Sequence, residues 1–162
     1  LSAEDRFKEA ERLGKTLGGE SLKALERIID FRDVAEIDAK TRRITLPTKK
    51  DLPEWYRKRR KKVRAKITER EFELQVLKIS EVAIMGLPGE VFLELGTEIR
   101  GRSPFERTLI AELCNQESEG YILTSRAYDE GGYELTASIL RKDAGVKLVT
   151  ESVGLLEEAH KG

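Results

Sequence analysis

One histidine, one cysteine, one methionine and one tryptophan stand among the 162 residues. A lone Cys114 cannot close an internal disulfide, which suits a reducing, cytoplasmic compartment. A lone His160, near the C-terminus, excludes a zinc site of the two- or three-histidine kind built from this sequence alone. Charge of one sign is also missing. Lys and Arg total 30, Asp and Glu total 30, and the net charge is zero. No bulk field therefore draws the chain toward nucleic acid or an anionic membrane. No apolar run approaches the roughly 20 residues that a membrane-spanning helix needs. No basic segment followed by an apolar one opens the sequence, so no signal peptide is read. The first residue is Leu1 rather than methionine, and the sequence reads as a portion of a longer protein.

Charged residues make up 37% of the chain and hydrophobic residues 39%, the balance of one soluble domain with an ordinary core and a heavily charged surface. Phe7, Ala10, Leu13, Leu17, Ala24, Leu25 and Ile28 recur at three- and four-residue steps, which predicts a long helix over residues 3–29. Ser2 with Asp5 is its capping box, and Gly18-Gly19 is a point where it could break. Residues 34–46 read as a strand ended by Pro47. A helix is predicted after Pro53, and strands over 71–79, over "EVAIMGL" and over "RTLIAEL". Helical spacing returns over 91–101, and Asp143 is the predicted cap of a last helix. The stripe of that helix is Val146, Val149, Val153, Leu156 and Ala159. Interleaved strands and helices give an α/β or α+β class: a mixed sheet flanked by helices, with a long N-terminal and a C-terminal helix.

Three stretches carry chemistry. In "GLPGEVF", residues 86–92, Pro-Gly ends a strand and Glu90 falls where a helix should begin. A first-turn acid faces the positive end of the helix dipole and stays ionised. Such a carboxylate beyond a strand end is a hard metal ligand, and it is equally what any helix start prefers. The second stretch, Asn115–Glu134, holds three of the four tyrosines, Tyr121, Tyr128 and Tyr133, among glycines. They could meet a ligand, or they could pin a long loop by packing. The third, Tyr56–Lys66, is eight Lys or Arg in eleven residues after Trp55. It could track phosphates or form a solvated helix face, with Leu52, Tyr56, Val63 and Ile67 as its apolar stripe. Cys114 reads as a small buried hydrophobe and His160 as part of a frayed terminus.

"GLPGEVFLELGTEIRGRSP", followed by "LCNQESEGYILTSRAYDEGGYE", resembles the later part of the neutral/alkaline (non-lysosomal) ceramidases and their prokaryotic ceramidase-like relatives. In that family a strand leads into Pro-Gly-Glu-Val-Phe, and a second strand leads to an Asn, a Tyr and an aromatic stretch ending in Tyr-Glu. The resemblance covers residues 74–136 and, more loosely, "EAERLGKTLGGESLKALERI" and "ITLP". It implies a zinc-dependent amidase whose metal is held by two histidines, a glutamate and a tyrosine. Position by position, Glu90 and Tyr121 would be metal ligands. Tyr133 would be the catalytic tyrosine that assists attack on the amide. The family's histidines, arginine and serine segment lie upstream and have no counterpart in this sequence. The resemblance thus implies residues 1–162 as one domain or fragment, the C-terminal portion of a ceramidase-like hydrolase acting on an N-acyl lipid or amide. Its N-terminal portion is then a required partner, and the isolated chain is inactive. The rival reading is a stand-alone module using the basic helix 56–66 on nucleic acid or another polyanion. The oligomeric state stays open, a homo-oligomer included.

Overall fold

The computed structural model describes residues 2–29, 33–59, 67–115 and 120–162. The chain divides into two units, Leu1–Ala35 and Glu36–Gly162. The first is built on α1, Ala3–Glu26. The Ser2 hydroxyl accepts from the Asp5 amide and the Asp5 carboxylate accepts from the Ser2 amide, both at 3.1 Å, completing the predicted capping box. The Ser2 hydroxyl also donates to the Asp5 carboxylate at 2.7 Å, and that bond, with the one from the Ser2 amide, holds the Asp5 carboxyl below its ordinary pKa. Gly18-Gly19 does not break the helix. Ion pairs one turn apart, such as Lys8–Glu4 and Lys15–Glu11, run along it. Each contributes only about 0.2–0.5 kcal/mol. The apolar stripe from Phe7 through Leu17 to Ile28 is exposed.

Alternation decides the first strands of the second unit. In β1, Ile37–Pro47, Ile44 and Leu46 are buried while Thr45 and Pro47 between and beyond them are not. A short helix, α2 (Glu54–Arg59), follows. In β2, Glu69–Ile79, Phe72, Leu74 and Val76 face the same core. The two strands pair antiparallel from Ile37↔Ile79 to Pro47↔Glu69. Ser80 and Glu81 make a tight turn, Ser80 at φ 50°. β3, Val82–Gly86, returns antiparallel to β2. Its continuous apolarity predicts burial on both faces, but Ala83 and Met85 are fully buried while Val82 and Ile84, on the other face, are only half-buried.

Beyond β3 come β4 (Glu90–Val91) and α3 (Leu93–Arg102), then β5 (Arg107–Ala111). β5 lies parallel to β3, so β4 and α3 are the crossover that a parallel pair requires. The sheet order is β1-β2-β3-β5. The stretch read as loop-rich instead contains β6 (Tyr121–Ile122), α4 (Ser125–Glu130) and α5 (Tyr133–Ala137). The chain ends with α6, Ala144–Lys161. A mixed sheet with flanking helices is the class that the sequence predicts. None of the helices among the described residues is long and apolar enough to cross a membrane.

α6 closes the core. Leu148, Val149, Val153, Leu155, Leu156 and Ala159 are buried against β1, β2 and α3. Val146, assigned to that stripe from the sequence, is exposed. Asp143 holds the cap position but does not cap. Its backbone is already helical, and its carboxylate accepts from Arg141 at 3.3 Å. His160 is not frayed: it lies within α6, edge-on to Phe105 at 5.1 Å. Arg42 of β1 straps the helix down, donating to the Glu151 carbonyl at 3.0 Å and pairing with Glu158 at 2.7 Å.

Leu148→Ala should lower the stability of the Glu36–Gly162 unit by about 2–5 kcal/mol. Leu17→Ala, on the exposed stripe of α1, should leave that transition within about 0.5 kcal/mol. Urea denaturation followed by circular dichroism checks both.

Candidate functional site

Because β3 and β5 run parallel, their carboxyl ends reach the same edge of the sheet. Pairing continues past both strands. The Leu87 amide donates to the Ala111 carbonyl at 2.8 Å, Cys114 to Leu87 at 3.0 Å and Leu113 to Gly89 at 3.1 Å. The chain then turns through left-handed backbone at Gly89, Leu113, Asn115 and Gly120. Leu113 meets a cost of roughly 1–2 kcal/mol there, whereas Asn115 tolerates it better. At Gly120 the requirement for glycine is absolute. A Cβ would lie 2.0 Å from the Ala137 carbonyl oxygen.

The two turns deliver β4 and β6, which form a parallel ladder with Glu90 opposite Tyr121 and Val91 opposite Ile122. The Glu90 amide donates to Gly120 at 3.1 Å and Phe92 to Ile122 at 3.0 Å. Val91 and Ile122 point into the core, and Glu90 and Tyr121 stand together on the other face. This corrects the reading of Glu90 as a first-turn acid. Glu90 is a strand residue, α3 starts at Leu93 with Phe92 as its N-cap, and the acid in that first turn is Glu94.

The Glu90 carboxylate, facing the Tyr121 phenol as a potential acceptor, pushes its pKa above the ordinary tyrosine value. Desolvation and the negative charge of Glu90 act in the same direction, with smaller contributions from Tyr133 and Glu134. Tyr121 is therefore a protonated donor at neutral pH. Tyr133, the first residue of α5, stands with its ring 6.1 Å from that of Tyr121 at 75°. Glu90, Tyr121 and Tyr133 share a cleft of about 390 Å³ with Trp55, Gly120, Thr136 and Ala137.

The far wall of the cleft is tied to the end of β1. Lys49 donates from its backbone to Ile139 at 2.9 Å. Its ammonium reaches the carbonyls of Leu135 at 2.5 Å and Ser138 at 2.8 Å, at the C-terminal end of α5. Burial pulls the Lys49 pKa down. The buried Ser138 hydroxyl donates to the Tyr121 carbonyl at 2.6 Å, and the Trp55 indole to that of Thr136 at 3.3 Å. Lys49, Thr136 and Ser138 escape the sequence reading, and Trp55 enters it only at the start of the basic stretch. Each acts through contacts that span long stretches of chain, and no local pattern marks them.

Other candidates sit elsewhere. Tyr128 lies under the Lys49 ammonium at 5.5 Å and lines a separate cleft with Arg141 and Lys147. Tyr56, considered as a phosphate-tracking aromatic, is buried in the core. α2 ends at Arg59, so residues 60–66 of the expected basic helix, Val63 of its stripe among them, lie outside the described residues. Cys114 is only half-buried, and its thiol donates to the Glu112 carbonyl at 3.4 Å.

Among the described residues no three His, Cys, Asp or Glu side chains cluster as a metal site. The cleft offers one carboxylate, Glu90, and two phenols, Tyr121 and Tyr133. Only Glu90 and Tyr121 stand side by side on the ladder, and two oxygen donors leave a tetrahedral ion short of its usual three or four protein ligands. The residues of this chain alone do not fit zinc.

Gly120→Ala should destabilise the second unit by at least about 2 kcal/mol, because φ 86° and the Ala137 carbonyl both oppose a Cβ. Glu90→Gln should move the Tyr121 titration to lower pH. The raised pKa favours the folded state while the phenol is protonated, below its ordinary value, and that contribution is lost as pH rises through the folded-state pKa. Tyrosinate absorbance of each protein, referenced to Tyr121→Phe, reads the shift.

No protein-family profile and no curated protein matches the sequence. Solved structures do. The neutral ceramidase from Pseudomonas aeruginosa superposes with a TM-score of 0.58 at 10% identity, over 79% of this chain and 29% of that one. A ceramidase complexed with C2 superposes with a TM-score of 0.52 at 14% identity, over 56% of this chain and 15% of that one. The chain thus spans less than a third of either protein. At such identities the likeness is one of fold, and over the matched portion this chain has a ceramidase-like fold.

Proposed function

We propose that this chain is the C-terminal part of a ceramidase-like zinc-dependent hydrolase, an amidase acting on N-acyl substrates, at work in the cytoplasm. One observation carries the proposal. Glu90 and Tyr121, remote in sequence, are register partners whose side chains line one cleft of a ceramidase-like fold. In this reading they supply two oxygen donors of the metal shell, and the N-terminal portion of the parent protein supplies the remainder. Zinc, when bound, contributes Lewis acidity and an activated water. The work of this chain is positioning. The β4–β6 ladder sets the two oxygens side by side. Tyr133 presents a phenol donor toward the carbonyl oxygen, where it counts most as negative charge develops there.

The 162-residue chain should lose zinc on desalting. The complete protein should retain it, and Glu90→Ala and Tyr121→Phe should each weaken zinc binding on the order of tenfold or more. Tyr133→Phe should retain the metal and lower kcat on an N-acyl substrate by about 10²-fold. Zinc content by mass spectrometry beside kcat tests this. Full zinc occupancy in the Glu90→Ala, Tyr121→Phe double variant would overturn it.

A further inference from the structure

The lining of the Glu90 cleft suits a second class of ligand. Of its seven lining residues three are aromatic, Trp55, Tyr121 and Tyr133, and one is a carboxylate; none is Lys or Arg. Tyr121 and Tyr133 meet at 75°, so they form a corner rather than a stack. Phe92 backs Tyr121 edge-on, with centroids 6.4 Å apart. The Trp55 indole N–H is already satisfied by Thr136, which fixes that ring against α5 and leaves its π-face as its remaining chemistry. Lys58, one turn from Trp55 on α2, has its charge held by Glu54 at 2.8 Å.

Aromatic walls around a carboxylate attract an organic cation. Ring quadrupoles present negative faces, an alkylated ammonium is cheap to desolvate, and the carboxylate supplies the counter-charge. A cleft of about 390 Å³ has ample room for a trimethylammonium group and the start of a chain behind it. We propose that the cleft bounded by Trp55, Tyr121 and Tyr133 over Glu90 binds a quaternary organic ammonium, a trimethylammonium group of the choline kind. The inference rests on the cleft itself and not on the zinc reading. A metal on Glu90 and an ammonium beside it would compete for the same carboxylate.

Trp55 is the only tryptophan in the chain, so its fluorescence reports on this cleft alone. The 162-residue chain, in EDTA, is titrated with choline and with 3,3-dimethylbutanol, its uncharged counterpart. Saturation transfer to the ligand methyl protons provides a second readout. Choline should give a saturable change with Kd on the order of 1 mM, and the alcohol should bind at least about tenfold more weakly. Glu90→Gln should weaken choline about tenfold, and Tyr133→Leu, at an exposed position, about threefold to tenfold. Equal binding of alcohol and choline, or unchanged affinity in Glu90→Gln, overturns the proposal. So does the absence of both signals. If ammonium binding fails while the complete protein keeps a zinc site on Glu90 and Tyr121, only this inference falls. If zinc fails while choline binds, only the metal reading falls.

Discussion

The cleft depends on a parallel ladder two residues long. β4 and β6 are joined through Gly120, which accepts from Glu90, and through Ile122, which accepts from Phe92. Short ladders are marginal when isolated. This one persists because it extends a larger parallel pair, β3 and β5, whose backbone bonds run on through Leu87, Gly89, Leu113 and Cys114. The apolar members of the ladder, Val91 and Ile122, are buried. Core packing thus fixes the register, and the register decides which side chains stand on the open face. A shift of one residue would turn Glu90 and Tyr121 inward and expose Val91 and Ile122.

Around the ladder the protein spends its unusual backbone. Gly89, Leu113, Asn115 and Gly120 all take left-handed conformations close to the site, and Gly131 and Gly132 do so just before Tyr133. Strain of this kind survives only where the surroundings over-determine it. Here the surroundings are the end of β1 and the 135–141 segment. Lys49 gathers the carbonyls of Leu135, Ser138 and Ile139, Arg141 donates to Pro47, and Ser138 reaches the Tyr121 backbone. The edge strand β1 thereby holds the wall that carries Tyr133. Arg42, further back on β1, holds α6 to the same sheet.

The electrostatics of the cleft follow from this geometry. Glu90 beside Tyr121 keeps the phenol protonated, and Glu134 adds to the same negative field. A cation entering the cleft, inorganic or organic, meets a carboxylate and oriented aromatic rings, and its described lining offers no competing cation. Both functional readings draw on that one property. They differ in whether further donors from outside this chain complete a metal shell or the aromatic walls suffice for a softer ion.

Much of the fold was legible in the sequence because its signals are local. Period-two alternation marked β1 and β2, and continuous apolarity marked β3 as a strand. Three- and four-residue spacing marked α1 and α6, and Ser2 with Asp5 marked the cap. The sequence also singled out Glu90, Tyr121 and Tyr133, through Pro-Gly, a cluster of tyrosines and a family likeness. It misread the setting of Glu90, because a two-residue strand has no periodicity to detect and Phe92 carries no capping side chain. It placed Tyr56 on an apolar stripe, and the core does bury it. The run of basic residues hid that Trp55 lines the cleft. Composition and spacing determined which residues could be buried and which stretches could become strands or helices. Only the tertiary structure decided that the carboxyl ends of β3 and β5 bring Glu90 to Tyr121, and that Trp55, Lys49 and Ser138 belong with them. Those contacts join chain segments far apart in sequence, and only the packed sheet holds them in place.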